Sequence, residues 1–226
     1  RNLATPNAEG AACSGIDCPA AGNNGPTGAA VDFDGVHDAI TLPPAVVQND
    51  DFTFAAWVYW RGGAMQRIFD FSSLADERFE LLTWLPVGTV QLSGRSGASN
   101  LSEWLSTSTK LPAYQWVHLA VTLEGDTARI FFDGVEQPLF TMSVNATQKT
   151  NQFTINPTAV LGEKPVLGST VEGRNHFNGL MSDVRIFSRA LNIWDIKAVH
   201  LADRALLSLP LDEALAVDGS LLADTS

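Results

Sequence analysis

The stretch Phe52-Thr-Phe-Ala-Ala-Trp-Val-Tyr-Trp60 most constrains what this chain can fold into. In an extended strand, alternation puts Phe52, Phe54, Ala56, Val58 and Trp60 on one face and Thr53, Ala55, Trp57 and Tyr59 on the other. Both faces are apolar. Such a strand needs cover on both sides, which predicts a central position in its sheet. A second stretch, Gly179-Leu-Met-Ser-Asp-Val-Arg-Ile-Phe-Ser-Arg-Ala-Leu191, reads as a strand running straight into a tight turn and a short helix. Ser188 or Asn192 can cap that helix, and Ile193, Ile196, Val199 and His200 have helical spacing. The other strands are expected to pack around this one.

The remaining chain is a series of short strands. Residues 67–71, 78–84 and 89–93 are each short and bounded by turn residues, and residues 104–109 follow. Trp116 to Leu123 alternates cleanly, with His118 among apolar neighbours. Glu124-Gly-Asp126 turns it into Ala128–Phe132, and Asp133-Gly134 turns that into Val135. Residues 152–155 and 166–170 predict two further strands. Residues 29–42 read as two short strands around Asp34-Gly35, whereas residues 1–30 are small and polar and read as a loop. A last strand-like piece carries Leu206, Leu207, Leu209 and Leu211. About twelve short strands with near-regular turns predict an all-β, two-sheet antiparallel sandwich with one short C-terminal helix.

Charge narrows the function classes. The net charge of −11 over 226 residues argues against a nucleic-acid surface, which needs clustered Lys and Arg. It fits an extracellular protein kept apart by self-repulsion, or one that binds cations. No apolar run is long enough to predict a membrane-spanning helix. The chain begins at Arg1, which reads as a mature or excised piece of something longer. Cys13 and Cys18 are close enough in sequence to form a disulfide, whose small loop would contribute roughly 2 kcal/mol. That pairing predicts an oxidising compartment; two free thiols are the alternative.

Five segments occur in a familiar order: 30–38 (Ala-Val-Asp-Phe-Asp-Gly-Val-His-Asp), 52–58, 116–122 (Trp-Val-His-Leu-Ala-Val-Thr), 129–135 (Arg-Ile-Phe-Phe-Asp-Gly-Val) and 177–191. Together they resemble the laminin-G-like, concanavalin-A-like jelly-roll domains. The resemblance covers about residues 29 to 200 and implies two curved antiparallel sheets packed face to face. The organisation that follows is a stapled loop over 1–28, a jelly roll over 29–203 and a terminal strand and loop over 204–226. The start of the chain lacks the first strand usual in these domains. Its counterpart, Leu207-Ser-Leu-Pro-Leu-Asp-Glu213, stands at the end. The chain therefore looks like one period of a tandem array. Its last strand would either fold back beside 180–187 or complete the sheet of an adjacent copy.

Candidate chemistry is sparse. Laminarinase-type enzymes of this fold carry Glu-x-Asp-x-x-Glu on one strand. Here Glu124-Gly-Asp126 is the only Glu-x-Asp, Arg129 stands where the second Glu belongs, and the motif lies in a turn. No catalytic residues are predicted. Related jelly rolls often hold a structural ion near the 179–191 strand, so Asp183 with Asp212 and Glu213, and separately Asp34 with Asp38, are candidate Ca²⁺ ligands. Pairing of Asp183 with Arg185 or Arg189 is the alternative. Glycan binding needs exposed aromatic platforms flanked by polar side chains. The candidates are Trp60, Trp84 and Trp104, with Arg67, Arg95 and Asn100; core packing is the alternative for each Trp. Trp57 and Trp116 read as core, and Trp194 as packing the helix down.

These features predict a non-catalytic extracellular structural or adhesive repeat that assembles with adjacent copies through its terminal strand. The alternative is a carbohydrate-binding module. Glycans are the candidate ligand class in that case, and Ca²⁺ is the candidate cofactor in either.

Overall fold

The computed structural model describes residues 11–44, 46–73, 77–84, 88–97, 101–141 and 150–202. In chain order the strands are β1 (Ala20–Gly25), β2 (Gly28–Asp34), β3 (Ile40–Thr41), β4 (Phe52–Trp60), β5 (Arg67–Ser72), β6 (Arg78–Trp84) and β7 (Thr89–Ser96). There follow β8 (Leu101–Lys110), β9 (Trp116–Glu124), β10 (Thr127–Phe132), β11 (Val135–Glu136) and β12 (Leu139–Thr141). A helical turn α1 (Pro157–Val160) leads into β13 (Leu161–Leu167), then β14 (Asn178–Phe187) and the helix α2 (Ile193–Ala202). Among the described residues the strands form two sheets, ordered β1-β2-β14-β4-β9-β10-β11 and β12-β8-β7-β6-β5-β13-β3. Every pairing is antiparallel.

β4 lies between β14 and β9, as its two apolar faces require. Its inner face meets the second sheet. Phe52 packs on Phe79 with ring centroids 5.1 Å apart, and Phe54 packs on Phe69 at 5.0 Å. Burying each such side chain stabilises the fold by about 1.5–3 kcal/mol. Its outer face carries Ala55, which joins Ala120, Phe131, Leu191 and Ile196 in a second apolar cluster under α2. The small alanines leave room for the helix. Asn192 caps it, its Oδ1 accepting from the backbone N–H of Trp194 (2.8 Å) and Asp195 (3.0 Å). Thr53 pins the turn before it: Oγ1 donates to the Arg189 carbonyl (3.0 Å) and accepts from the Leu191 N–H (2.8 Å).

Several expectations are corrected. β1 lies in the segment expected to be a loop, and it pairs with β2. β2 and β3 do not form a hairpin; Asp34-Gly35 carries the chain from one sheet to the other, because β3 pairs with β13. Residues 152–155 form no strand. Phe153 and Ile155 are buried in the core, and Phe153 fills the space beside Gly94, where a Cβ would lie 2.5 Å from its ring. Trp194 does not pack the helix down; it is 74% exposed, with the Lys197 ammonium 5.1 Å from its ring. β14 is not an edge along Gly179–Met181, where β2 pairs on one side and β4 on the other. The terminal strand with Leu206, Leu207, Leu209 and Leu211 lies outside the described residues.

The outer face of the first sheet also buries a ring cluster. His118 is 1% exposed, and its ring centroid lies 5.4 Å from that of Trp57 and 5.3 Å from that of His200. Its Nδ1 meets no hydrogen-bond partner among the described residues. Burial, reinforced by the nearby His200, pushes the His118 pKa down from 6.5 to about 4. The unfolded chain therefore binds this proton between pH 6.5 and 4 while the folded chain does not. Stability is full above that window and falls as pH drops through it, by about 3 kcal/mol in total. We expect urea unfolding at pH 4.5 to show a smaller loss, relative to pH 7, in His118→Leu than in the unmodified protein. An identical loss in both would show that His118 is not the group responsible.

Candidate functional site

The second sheet has two chemically different faces. On β5 to β8 the core-facing positions are Phe69, Phe71, Phe79, Leu81, Val90, Leu92 and Leu105, joined by Ile68 at the bulge of β5. The pleat turns their neighbours to the opposite face. The strand registers line those neighbours up in rows. Asp70 lies opposite Glu80, Glu80 opposite Ser93 and Ser93 opposite Trp104. A second row runs Arg67, Leu82, Gln91 and Ser106. Arg78 and Arg95 stand opposite each other in a third, with Ser102 beyond. Directly opposed residues bring their Cβ atoms within roughly 5 Å, so each row acts as one contact surface.

One corner of this face is a built polar site. Arg67 is 4% exposed. Its Nε donates to Glu80 Oε2 (2.8 Å) and its Nη2 to Glu80 Oε1 (3.1 Å). Its Nη1 donates to the Met65 carbonyl (2.8 Å), and its backbone N–H donates to the Asn175 carbonyl (2.9 Å). Met65 (φ 60°) and Asn175 (φ 54°) are both left-handed, an uncommon conformation for residues other than glycine. Both present a carbonyl to Arg67. Asp70 is buried beside this pair. Its Oδ1 accepts from the Ser72 N–H (2.9 Å) and its Oδ2 from the Val171 N–H (3.1 Å). Burial pushes the Asp70 pKa up, the Ser72 hydrogen bonds oppose this, and the charge on Glu80 adds to the rise.

The Thr170–Asn175 loop forms the other wall. It closes on itself, Gly173 N–H donating to the Thr170 carbonyl (2.8 Å) and Arg174 N–H to Thr170 Oγ1 (3.0 Å). Between loop and sheet lies a pocket of about 450 Å³, lined by Arg67, Asp70, Glu77, Glu80 and Arg174 among others. Pockets of this size take small ligands.

The sequence candidates separate. Arg67 is at the base of this pocket. Trp104 and Arg95 lie on the same face, and Trp84 ends β6 opposite Thr89; all three are half-buried. Trp60 cannot serve as an exposed platform. It is 7% exposed inside the core, with its Nε1 donating to Gln66 Oε1 (3.0 Å). Asn100 lies outside the described residues. Cys13 and Cys18 form a disulfide.

The acidic candidates lie in two places. Asp34 and Asp38 close a turn on each other: Asp34 Oδ1 accepts from the N–H groups of Val36 (2.7 Å) and His37 (2.9 Å), and Asp38 Oδ2 accepts from the Asp34 N–H (2.7 Å). Asp183 pairs with Arg185 at 2.6 Å. Asp34 is opposite Asn178 on β14, which places it roughly 16 Å along that strand from Asp183. Asp212 and Glu213 lie outside the described residues, and among the described ones no three His, Cys, Asp or Glu side chains gather to hold a metal ion.

Asp70, Glu77, Glu80 and Arg174 escaped sequence reasoning. A signal was available in Phe69-Asp-Phe71 and Phe79-Glu-Leu81, where a carboxylate alternates with core apolar residues. The register that places Asp70 beside Glu80 was not.

Residues 34–197 match the family described as Concanavalin A-like lectin/glucanases superfamily, in its laminin-G type. The chain belongs to that superfamily. This lectin/glucanase-type domain is similar in fold to domain 4 of an extracellular GH43 arabinanase from Geobacillus stearothermophilus, solved with arabinotriose. The two share 21% identity over 81% of each chain, with a TM-score of 0.61. It is also similar to a putative carbohydrate binding protein from Bacteroides ovatus (17% identity, 74% of this chain and 45% of that one, TM-score 0.54). A third similar structure is the CBM40 of a Ruminococcus gnavus sialidase bound to α2,3 sialyllactose (16%, 66% and 82%, TM-score 0.53). No curated protein sequence matches the chain.

Removing one member of a buried ion pair strands the other, at a cost of about 3–5 kcal/mol. Glu80→Ala is therefore expected to lower the unfolding free energy by about that amount. The double variant Arg67→Met/Glu80→Leu should recover most of it. Urea denaturation of both checks this. A Glu80→Ala protein as stable as the unmodified one would show that the pair does not hold β5 to β6.

Proposed function

We propose that this chain is a non-catalytic carbohydrate-binding module of a secreted or cell-surface protein, and that the pocket on the outer face of β5 and β6, with Trp104 of β8 beyond it, is its binding site. One observation carries the reading: a buried, hydrogen-bonded polar floor of Arg67, Glu80 and Asp70 opens into a pocket, and Trp104 lies in the same cross-strand row. Sugars ask for that combination, because a pyranose or furanose has an apolar ring face and a polar edge. The fold is shared with an arabinanase domain and a sialidase module whose structures were solved with bound sugars, which supports the class of ligand. The Cys13–Cys18 disulfide supports an oxidising compartment.

Binding is favoured over hydrolysis by how the carboxylates are held. A glycosidase needs one carboxyl free to move a proton and another free to attack or to activate water. Glu80 is clamped by both arms of Arg67, and each Asp70 oxygen accepts a backbone N–H, so of the floor carboxylates Glu77 alone keeps an oxygen without a donor among the described residues and lacks a second free carboxyl to work with. Glu124 and Arg129 form an exposed ion pair at a hairpin.

Titration calorimetry with neutral polysaccharide fragments tests the proposal. Trp104→Ala is expected to weaken binding about tenfold, the loss of roughly 1.4 kcal/mol of ring stacking. A panel with no bound glycan, or unchanged affinity in Trp104→Ala, would contradict it.

A second reading, assembly of adjacent copies through the terminal strand, has one observation in its favour. The pairing of β2 with β14 runs from Asn178 to Met181, while that of β4 continues to Phe187, so β14 extends beyond its β2 partner. An extended strand of this kind is the usual target of strand addition. Light scattering at high concentration should then show association that is lost when residues 204–226 are deleted. A monomer throughout would count against it.

A further inference from the structure

We infer that the pocket floored by Arg67, Asp70, Glu77 and Glu80 takes a neutral sugar through a pair of adjacent hydroxyls, and discriminates against glycans that would enter it with a carboxylate or a sulfate. The inference rests on the carbohydrate-binding reading above and names the ligand class of that same site.

The hydrogen-bond inventory of the floor carries it. A guanidinium has five N–H donors. Arg67 spends two on Glu80 and one on the Met65 carbonyl, which leaves one on Nη1 and one on Nη2. A carboxylate has about four acceptor sites. The structure assigns one donor to each Glu80 oxygen, from Arg67, and to Asp70 the backbone N–H groups of Ser72 and Val171 together with the Ser72 hydroxyl. Glu77 Oε2 is buried and meets no donor among the described residues. The floor is therefore rich in spare acceptors and retains a few donors.

Three kinds of ligand group meet that floor differently. A carboxylate or sulfate offers acceptors only, and would face Asp70, Glu77 and Glu80 with nothing to donate. An ammonium offers donors only, and would leave the spare N–H groups of Arg67 without an acceptor. A hydroxyl both donates and accepts. Two adjacent hydroxyls can donate to the carboxylates and accept from the spare N–H groups of Arg67 at once. The rim carries Arg78 and Arg174, which would favour anions. Both are exposed, and exposed charges in water contribute little. Arg67 is buried but already neutralised by Glu80.

The test compares two ligand sets on the intact domain by titration calorimetry: neutral oligosaccharides (arabinan, xylan and β-glucan fragments) and acidic ones (oligogalacturonate, sialyllactose and a sulfated oligosaccharide). The expected result is measurable binding of at least one neutral sugar, with every acidic sugar at least tenfold weaker. Glu77→Gln replaces the unpartnered oxygen by an amide on a half-buried residue and should leave the fold intact. It is expected to weaken the neutral sugar about fivefold and to narrow the neutral-to-acidic ratio. Acidic sugars that bind as well as neutral ones, or a ratio unmoved by Glu77→Gln, would overturn the inference while leaving carbohydrate binding in place. A panel in which nothing binds would overturn both.

Discussion

The pairing of β4 between β14 and β9 is the constraint on which the rest of the structure depends. A strand that is apolar on both faces cannot be satisfied by one sheet packing on another. Its inner face takes the aromatic rings of the second sheet, and its outer face needs a further cover, which α2 supplies. The chain reaches that cover from β14, the neighbour of β4, through a turn pinned by Thr53 of β4 itself. The close approach is visible at Gly179, where a Cβ would stand 2.1 Å from the Tyr59 carbonyl oxygen. Cover, turn and strand are thus one local unit.

With the first sheet occupied on both sides, the second sheet is left to do something else with its outer face. Its pleat separates a ladder of Phe and Leu facing the core from rows of polar residues facing away. Polar groups buried on such a face cost stability unless each finds a partner. Most do here: Arg67 is forked onto Glu80, Asp70 accepts two backbone donors, and the Ser106 hydroxyl donates to Gln91 Oε1 at 3.3 Å, with Glu77 Oε2 the exception in the pocket among the described residues. Replacing a buried ion pair by apolar residues is often neutral or stabilising. A pair kept at the base of a pocket, with two left-handed residues bent to serve it, fits the needs of a ligand better than those of the core.

Much of this was legible in the residues. The sandwich, the central place of Phe52–Trp60 and the strand-turn-helix at 179–191 follow from alternation and spacing, which are local properties. The Asp183–Arg185 pair and the Asn192 cap follow from spacing in the same way. What failed was non-local. Gly and Asn along Ala20–Gly25 hide a strand because they carry no pattern, and only pairing with β2 makes one. Trp60 and Trp104 look alike in sequence. One points between the sheets and the other away from them, and which is which depends on strand parity relative to a core not yet built. Arg67 was singled out for its neighbourhood, but its partner Glu80 comes from a register that includes a bulge between Arg67 and Phe69. Trp194 reads as a packing residue in the sequence, but a helix that covers two alanines buries Ile196 and His200 and turns Trp194 to solvent.

The central claim is that the pocket beside the Arg67–Glu80 pair, and not the helix-covered face, meets the ligand. Backbone amide shifts recorded during titration with the neutral oligosaccharide that binds tightest in the calorimetric panel test it most directly. The account predicts saturable changes in residues 65–72, 78–82, 93–95, 104 and 170–175, with α2 and β10 unmoved. Changes confined to residues 190–202 and 127–136, or none at saturating sugar, would contradict it.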